Sequence, residues 1–318
     1  MSVKIGFAIL SYNEPEQLLR LVNTLNAMFG DPPIVCHHDF SKCSLDETLF
    51  PSNVRFVHPH IVTERGLISV PLALLEAFRL LREHDQLDWY VPLSGCDYPV
   101  RPADEIIAEF TNTKFDAYLD YREILYSAIP PAEKDQHGGF DRPSWVPLAY
   151  DRYCACLFYW WPVFSKKKLF ALRIPLDRRR VVLFRNPRIT RWFQSNRPSR
   201  IFGGDFAFLA NHRAIDRLLD PSVEKLIPYF QAREAPDEAL FHTVLCNHAD
   251  LQICKDTKRY ADWSIVDPHP KWLEVSDVPK ILASGALFAR KFRPDGVAQE
   301  FIDRTVLGLV PDRETALR

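Results

Sequence analysis

Residues 3–10 read VKIGFAIL, and the polar run SYNEPE follows at 11–16. The stretch is β-rich and almost unbroken in apolarity, which predicts a strand buried on both faces of a parallel sheet. A helix is expected next. Asn13 stands in a capping position, Pro15 suits a first turn, and Leu18, Leu19, Val22 and Leu25 recur at helical spacing. The pattern then repeats, with strands expected over 34–39, 53–57, 88–94 and 115–120 and helices over 69–83 and from Pro102. Such alternation predicts an α/β fold with a right-handed, mostly parallel Rossmann-type sheet in the N-terminal half and helices on both faces. Sheets of this kind bind ligands at the carboxyl ends of their strands, so residues 11–13, 37–39 and 94–97 should face one crevice, where a nucleotide would sit.

The 318 residues are 47% hydrophobic and 25% charged, the composition of a globular chain with a sizeable core. No Gly/Ser-rich linker divides them, so two halves sharing an interface are expected, residues 1–123 binding the nucleotide and 124–318 the acceptor. A formal net charge of −1 excludes a global pull on nucleic acid, and no nucleic-acid partner is expected. Seven cysteines without paired C-x-x-C spacing read as reduced thiols. The start carries no secretory apolar region, and no run approaches the roughly 20 apolar residues of a membrane span, so a cytoplasmic location is expected, with the inner membrane face as an option.

G-x-G-x-x-G and G-x-x-x-x-G-K-[ST] are both absent, which speaks against dinucleotide and P-loop chemistry. D-x-D is absent as well. Where that metal-holding pair would follow the central strand there is only Asp97, between Cys96 and Tyr98, so no metal and no other cofactor is expected and Asp97 is assigned to the donor's hydroxyls or base. Cationic side chains must then carry the charge of a diphosphate leaving group. His37 and His38 point to opposite faces of a strand and cannot easily share an ion, whereas His37 and Asp39 share a face. Residues 124–153 read as a long loop. The aromatic run 153–164, YCACLFYWWPVF, is either a core strand or a sugar- or membrane-facing strip. The basic stretch from Lys166 to Arg217 is either a solvated face or lies close to an anionic lipid or acceptor.

In order along the chain, AILSYNEPEQLLRLVNTL (8–25), VCHHDFSK (35–42), ISVPLALLEAFRLL (68–81), WYVPLSGCDYPVR (89–101), the PDE at 236–238, KRYADWS (258–264), HPKWL (269–273) and SGALFARKF (284–292) resemble one family nearly end to end. That family is the core-2/I-branching β-1,6-N-acetylglucosaminyltransferases with the related peptide xylosyltransferases. The resemblance implies a GT-A-like fold and inverting, metal-independent transfer from a UDP-sugar to a carbohydrate or lipid-linked glycan acceptor. N-acetylglucosamine is the expected sugar, xylose the alternative, and a surface or secreted polysaccharide the expected product. A non-catalytic sugar-binding module on the same fold is the competing class.

The resemblance also implies roles. Glu238 falls at the family's catalytic base, at the start of a helix expected over 238–246, with Asp237 as the cap. Lys291 and Lys271 match basic positions on the donor diphosphate, and Arg290 is a substitute for either. Asn13, His37, Asp39, Ser69 and Asp97 are expected around the donor. Trp263 matches an acceptor-site tryptophan, and Arg259 is expected to orient Glu238 or an acceptor hydroxyl. Two departures stand out: the family's G-S-x-W/Y segment is Gly203-Gly204-Asp205-Phe206 here, and the disulfides of the animal relatives have no counterpart.

Overall fold

The computed structural model describes residues 3–83, 86–125, 149–150, 152–154, 156–159, 180–184, 197–265 and 269–309. Strands β1 (Ile5–Ser11), β2 (Ile34–His38), β3 (Val54–Phe56) and β4 (Trp89–Ser94) form the parallel part of a seven-stranded sheet. Helix α1 (Pro15–Phe29) links β1 to β2 and α2 (Ser69–Arg82) links β3 to β4, in the βαβ pattern that the alternation predicts. Two strands leave this layer, β5 (Asp97–Pro99) and β7 (Arg122–Glu123), while β6 (Ala117–Leu119), which follows α3 (Ala103–Asn112), stays in it.

Downstream come β8 (Cys156–Tyr159), β9 (Arg180–Phe184), β10 (Phe202–Gly203), β11 (Phe208–Asn211), β12 (Ile253–Cys254), β13 (Arg259–Ala261) and β14 (Phe288–Arg290). The large sheet runs β12-β6-β11-β4-β1-β2-β3. The pairs β4-β1, β1-β2, β2-β3 and β12-β6 are parallel, and β11 is antiparallel to both β4 and β6. The expected strand over 115–120 therefore exists, but it does not sit beside β4. The four residues of β11 separate them, so segments from both sides of residue 123 build one sheet. Most of the long loop over 124–153 and residues 155 and 160–164 of the aromatic run lie outside the described residues, as does the basic stretch 166–217 except for 180–184 and 197–217. Six described cysteines are free of disulfides.

Strand β1 is buried on both faces, and its side chains alternate between two cores as its period of two requires. Phe7 and Ile9 pack with Leu18, Leu21, Val22 and Leu25 of α1 and with Ile106 and Phe110 of α3, while Ala8 packs with Leu74, Phe78 and Leu81 of α2. Helix α1 does not begin on an Asn13 cap. Asn13 is exposed, Glu14 takes the N-cap position in a left-handed conformation (φ 50°), and no side chain caps the helix. Pro15 needs no donor bond at this place, so the helix starts without one. Gly30 closes it at φ 68°, its N–H donating to Asn26 O.

The parallel register brings three strand ends together. Ser11 is level with His38 and Leu10 with Ser94; Asp39 N–H donates to Ser11 O (2.9 Å) and Gly95 N–H to Leu10 O (3.0 Å). Among the described residues no helix is long and apolar enough to cross a membrane. Phe78 is wholly buried, with ring centroids 6.2 Å from Tyr90 and 6.0 Å from Phe208. It thus joins α2 to both β4 and β11. Phe78→Ala is expected to lower stability by about 3–5 kcal/mol, read from the shift in a urea unfolding curve.

Candidate active site

Asp97 leaves the sheet on β5, directly after β4, and is 2% exposed. The small sheet β13-β14-β5 sets Arg290 level with both Asp97 and Ala261. Three charges meet there. Arg259 Nη1 donates to Asp97 Oδ2 (3.1 Å) and its Nη2 to Pro92 O (2.8 Å), Arg290 Nε lies 3.4 Å from Asp97 Oδ1, and Ser94 N–H donates to Oδ2 (2.7 Å). Asp97 is thus the counter-ion inside the wall of the crevice, and two guanidiniums on one carboxylate leave an excess of one positive charge. Arg259, expected to orient Glu238 or an acceptor hydroxyl, is placed by β13 on Asp97 and on Pro92 O of β4. Arg290 keeps part of its surface open, with its side chain 23% exposed.

Behind the ends of β1 and β2, His37, His38 and Asp39 hold loops. His38 accepts from Ser11 Oγ at Nδ1 (2.7 Å) and donates to Cys43 O from Nε2 (2.8 Å); His37 Nε2 accepts from Ile61 N–H (2.9 Å). Burial lowers the His37 pKa to about 4, so the ring is neutral. Both Asp39 oxygens are taken: Ser41 donates to Oδ1 through N (3.2 Å) and Oγ (2.5 Å), Thr63 to Oδ2 through N (2.8 Å) and Oγ1 (2.7 Å). Burial works to raise this carboxyl, and these bonds bring it well below the usual range. His37 and Asp39 therefore pin the segment 61–63 that leads to Ser69, whose Oγ accepts from Glu64 N–H (2.9 Å). No atom of Asp39 is left for a ligand.

The basic motifs at 269–273 and 284–292 converge through Leu273 N–H, which donates to Lys291 O (2.8 Å). Lys291 Nζ stands 4.1 Å over the Trp272 ring. Lys271 is held on both oxygens of Asp277, each at 2.9 Å, so its charge is already paired. Trp263 lies half-buried in the same loop region as Lys271, whose N–H donates to Asp262 O (2.7 Å). Among the described residues no group of three or more His, Cys, Asp or Glu side chains could hold a metal ion.

Glu238 closes a 3-10 turn, Pro236–Glu238, and the α-helix begins only at Leu240. The expected helix over 238–246 is shorter because Ala239 (φ −138°, ψ −31°) breaks the helical backbone. Asp237 does not cap it: neither the turn nor the helix has a side-chain cap, and Asp237 Oδ1 is buried without a hydrogen-bond partner. Burial raises Asp237 to about 6. Burial first, and then the charge of Asp237, raise Glu238 to about 7. Against these, Tyr153 Oη donates to Glu238 Oε2 (2.6 Å) and Arg152 Nη1 lies 3.3 Å from the same oxygen. The Glu238 side chain remains 28% exposed.

Asp205 ties the two charge centres together, since its field acts on Glu238, Arg259 and Arg290 alike. Arg65 acts on Asp237 and donates to His269 Nε2 (2.7 Å), bringing the loop after β3 to the same opening. Glu238, Asp205, Arg290 and Arg259 thus lie within reach of one another's charge, while Asp39 and Lys271 hold loops. Sequence reasoning missed Tyr153, the first residue of the aromatic run, Arg152 just before it, and Arg65, an ordinary loop arginine. Only the gap between Gly203-Gly204 and a large residue marks their neighbourhood: a Cβ on Gly203 would stand 3.1 Å from the Tyr153 ring, and one on Gly204 2.1 Å from Asp120 O.

Similarity to known proteins includes Asp205, Glu238 and Arg259 of this site. The family model described as Core-2/I-Branching enzyme matches residues 185–283. Beta-glucuronosyltransferase GlcAT14B of Arabidopsis thaliana is 26% identical over 276 residues, 85% of this chain and 56% of its own. GlcAT14A of the same organism is 24% identical over 271 residues, 81% and 52% of the two chains. The chain thus spans about half the length of these curated relatives. Solved structures of S. aureus TarS 1-349, alone and in complex with UDP-GlcNAc, align over 37% and 43% of this chain and 35% and 38% of theirs, at 17% and 14% identity and a TM-score of 0.27 in each case.

The raised carboxyl at Glu238 has a cost that stability can read. An acid whose folded pKa is about 7 against an ordinary 4.5 binds protons more tightly in the folded state, so its contribution to stability falls as pH rises between those values. Glu238→Gln removes the charge and keeps an acceptor for Tyr153. It is expected to gain on the order of 1–3 kcal/mol over the wild type at pH 8 and to lose that advantage near pH 4.5, measured as the difference in melting temperature at the two pH values.

Proposed function

We propose that this chain is an inverting, GT-A-like glycosyltransferase that moves a sugar from a UDP-sugar to a hydroxyl of a carbohydrate or lipid-linked glycan acceptor, without a divalent metal. The observation that carries the reading is the pairing of charges across one crevice. On one side is a carboxyl poised near pH 7, Glu238; on the other is the guanidinium pair Arg259 and Arg290, held on Asp97 and within the field of Asp205. A general base works best when its pKa lies near the operating pH. A breaking bond to a diphosphate needs fixed positive charge in place. Similarity to the Core-2/I-Branching enzyme model and to two glucuronosyltransferases supports the same class.

In this reading the acceptor hydroxyl attacks the anomeric carbon opposite the leaving group as Glu238 takes its proton, and UDP departs with both electrons of the glycosidic bond. Arg290 and Lys291 meet the charge that develops on the diphosphate. Arg259, buried on Asp97, keeps Arg290 in place, and Lys271, held by Asp277, braces the loop that carries Trp263 toward the acceptor. Asn13 and Ser69 border the donor at the strand ends. N-acetylglucosamine is the sugar the sequence resemblance favours. The names of the two relatives favour glucuronate as a second reading. Synthesis of a surface polysaccharide at the inner membrane face belongs to the same proposal.

Glu238→Gln is expected to lower turnover by about 10² to 10⁴, with UDP affinity within a few-fold of wild type in calorimetry. Wild-type rate in a folded Glu238→Gln sample would overturn the assignment of the base. The donor is decided by thermal shift with UDP-N-acetylglucosamine, UDP-glucuronate and UDP-xylose, since only a sugar nucleotide that binds the folded state raises the melting temperature. Transfer from the donor so found should persist in excess EDTA; a large loss restored by manganese would refute the metal-free mechanism.

A further inference from the structure

Glu238 is held by an asymmetric set of bonds. Tyr153, 0% exposed, donates its hydroxyl to Oε2 at 2.6 Å, and Arg152 adds a second donor to the same oxygen at 3.3 Å. Neither contacts Oε1. The Tyr153 ring cannot retreat, because Gly203 packs against its face so closely that a Cβ there would lie 3.1 Å from the ring. Its carbonyl accepts the hydroxyl of Tyr229, which is itself buried. The main chain of Glu238 is fixed from the opposite side by Gly204 N–H, which donates to its carbonyl at 3.0 Å. Arg152 extends the clamp to Glu234 at 3.9 Å. A carboxylate anchored through one oxygen and through its own backbone has its remaining oxygen aimed in a single direction.

We propose that Tyr153 is a positioning residue which, with Arg152, fixes Glu238 through Oε2 and presents Oε1 to the acceptor hydroxyl. The inference rests on Glu238 being the base and adds the group that aims it. A short hydrogen bond to an ionised carboxylate is among the stronger ones in proteins. It acts on geometry and on proton affinity together. Without it the carboxylate gains rotamers that do not meet the acceptor, and misplacement by about 1 Å is enough to cost up to 10²-fold in rate. A bond to the charged form also lowers the proton affinity of the base, so its removal moves the ascending limb of the pH–rate profile to higher pH.

The test is a rate cycle over wild type, Tyr153→Phe, Glu238→Gln and the double variant, with the sugar donor that the thermal-shift panel identifies. Phenylalanine keeps the ring and loses only the hydroxyl. Tyr153→Phe is expected to lower kcat about tenfold, leave KM for the donor within twofold, and displace the ascending limb upward by a few tenths of a pH unit or more. In the Glu238→Gln background the same change should cost nothing further, because Tyr153 acts through that carboxylate. Equal rate losses in both backgrounds, or an unmoved limb, would make Tyr153 a packing residue and overturn the inference while leaving Glu238 as base. A fully active Glu238→Gln would instead remove the base on which the inference rests. If Tyr153→Phe melts below the assay temperature, Arg152→Gln is measured in its place: it withdraws the second donor from Oε2, and an unmoved limb there would overturn the inference equally.

Discussion

Pairing of β1 between β2 and β4 in parallel is the constraint on which the remaining geometry depends. With both faces of β1 covered, Phe7 and Ile9 on one side and Ala8 on the other, a slip of one residue would exchange every buried side chain with its opposite. The register is therefore set by packing, and with it the level at which three strands end. Ser11, His38 and Ser94 arrive together because their strands are locked several residues earlier. Everything that holds the crevice hangs from these ends: Asp39 on one, Asp97 on another.

Electrostatics then explains why the crevice wall is built as it is. Taking Asp97 and Arg259 out of water costs several kcal/mol per ion unless the two are paired and further hydrogen-bonded. The side chains of both are almost fully enclosed, and both have additional partners, Ser94 N–H for the acid and Pro92 O for the guanidinium. Arg290 joins the same carboxylate from the more open side, so the surplus charge is carried at the surface of the crevice. Around Glu238 the balance runs the other way. Asp237 stands beside it in a buried place, and Tyr153 and Arg152 only partly offset the destabilised charge. Two acids in one turn, neither used as a helix cap, are a cost to stability that packing alone gives no reason to bear.

Much of the α/β layer was legible beforehand. Strands β1 to β4 and helices α1 to α3 carry long periodic runs, and each expected boundary falls within a few residues of the observed one. Misreadings fell where local signals compete with backbone geometry. Asn13 is a good cap by residue type, yet Pro15 starts α1 after a left-handed Glu14. Asp237 and Glu238 have the look of a helix start, but the chain makes a 3-10 turn and breaks at Ala239. Strand β11 has four residues and no neighbouring repeat to announce it, although it joins the two ends of the large sheet.

By itself the sequence determined the class of fold, the crevice at the strand ends, and a set of charged residues gathered from distant motifs, because hydrophobic period and residue type are properties of the chain taken a few residues at a time. Which charges touch was decided only in three dimensions. Arg259 lies 162 positions from Asp97 and Tyr153 lies 85 from Glu238, distances over which no periodicity carries information. Only the large sheet, the small three-stranded sheet and the glycine pair that admits the Tyr153 ring bring those atoms within hydrogen-bond reach. The tertiary structure therefore turned Asp97 into the counter-ion of two arginines, Asp39 and Lys271 into supports for loops, and Tyr153 into the partner of a carboxylate poised near neutrality.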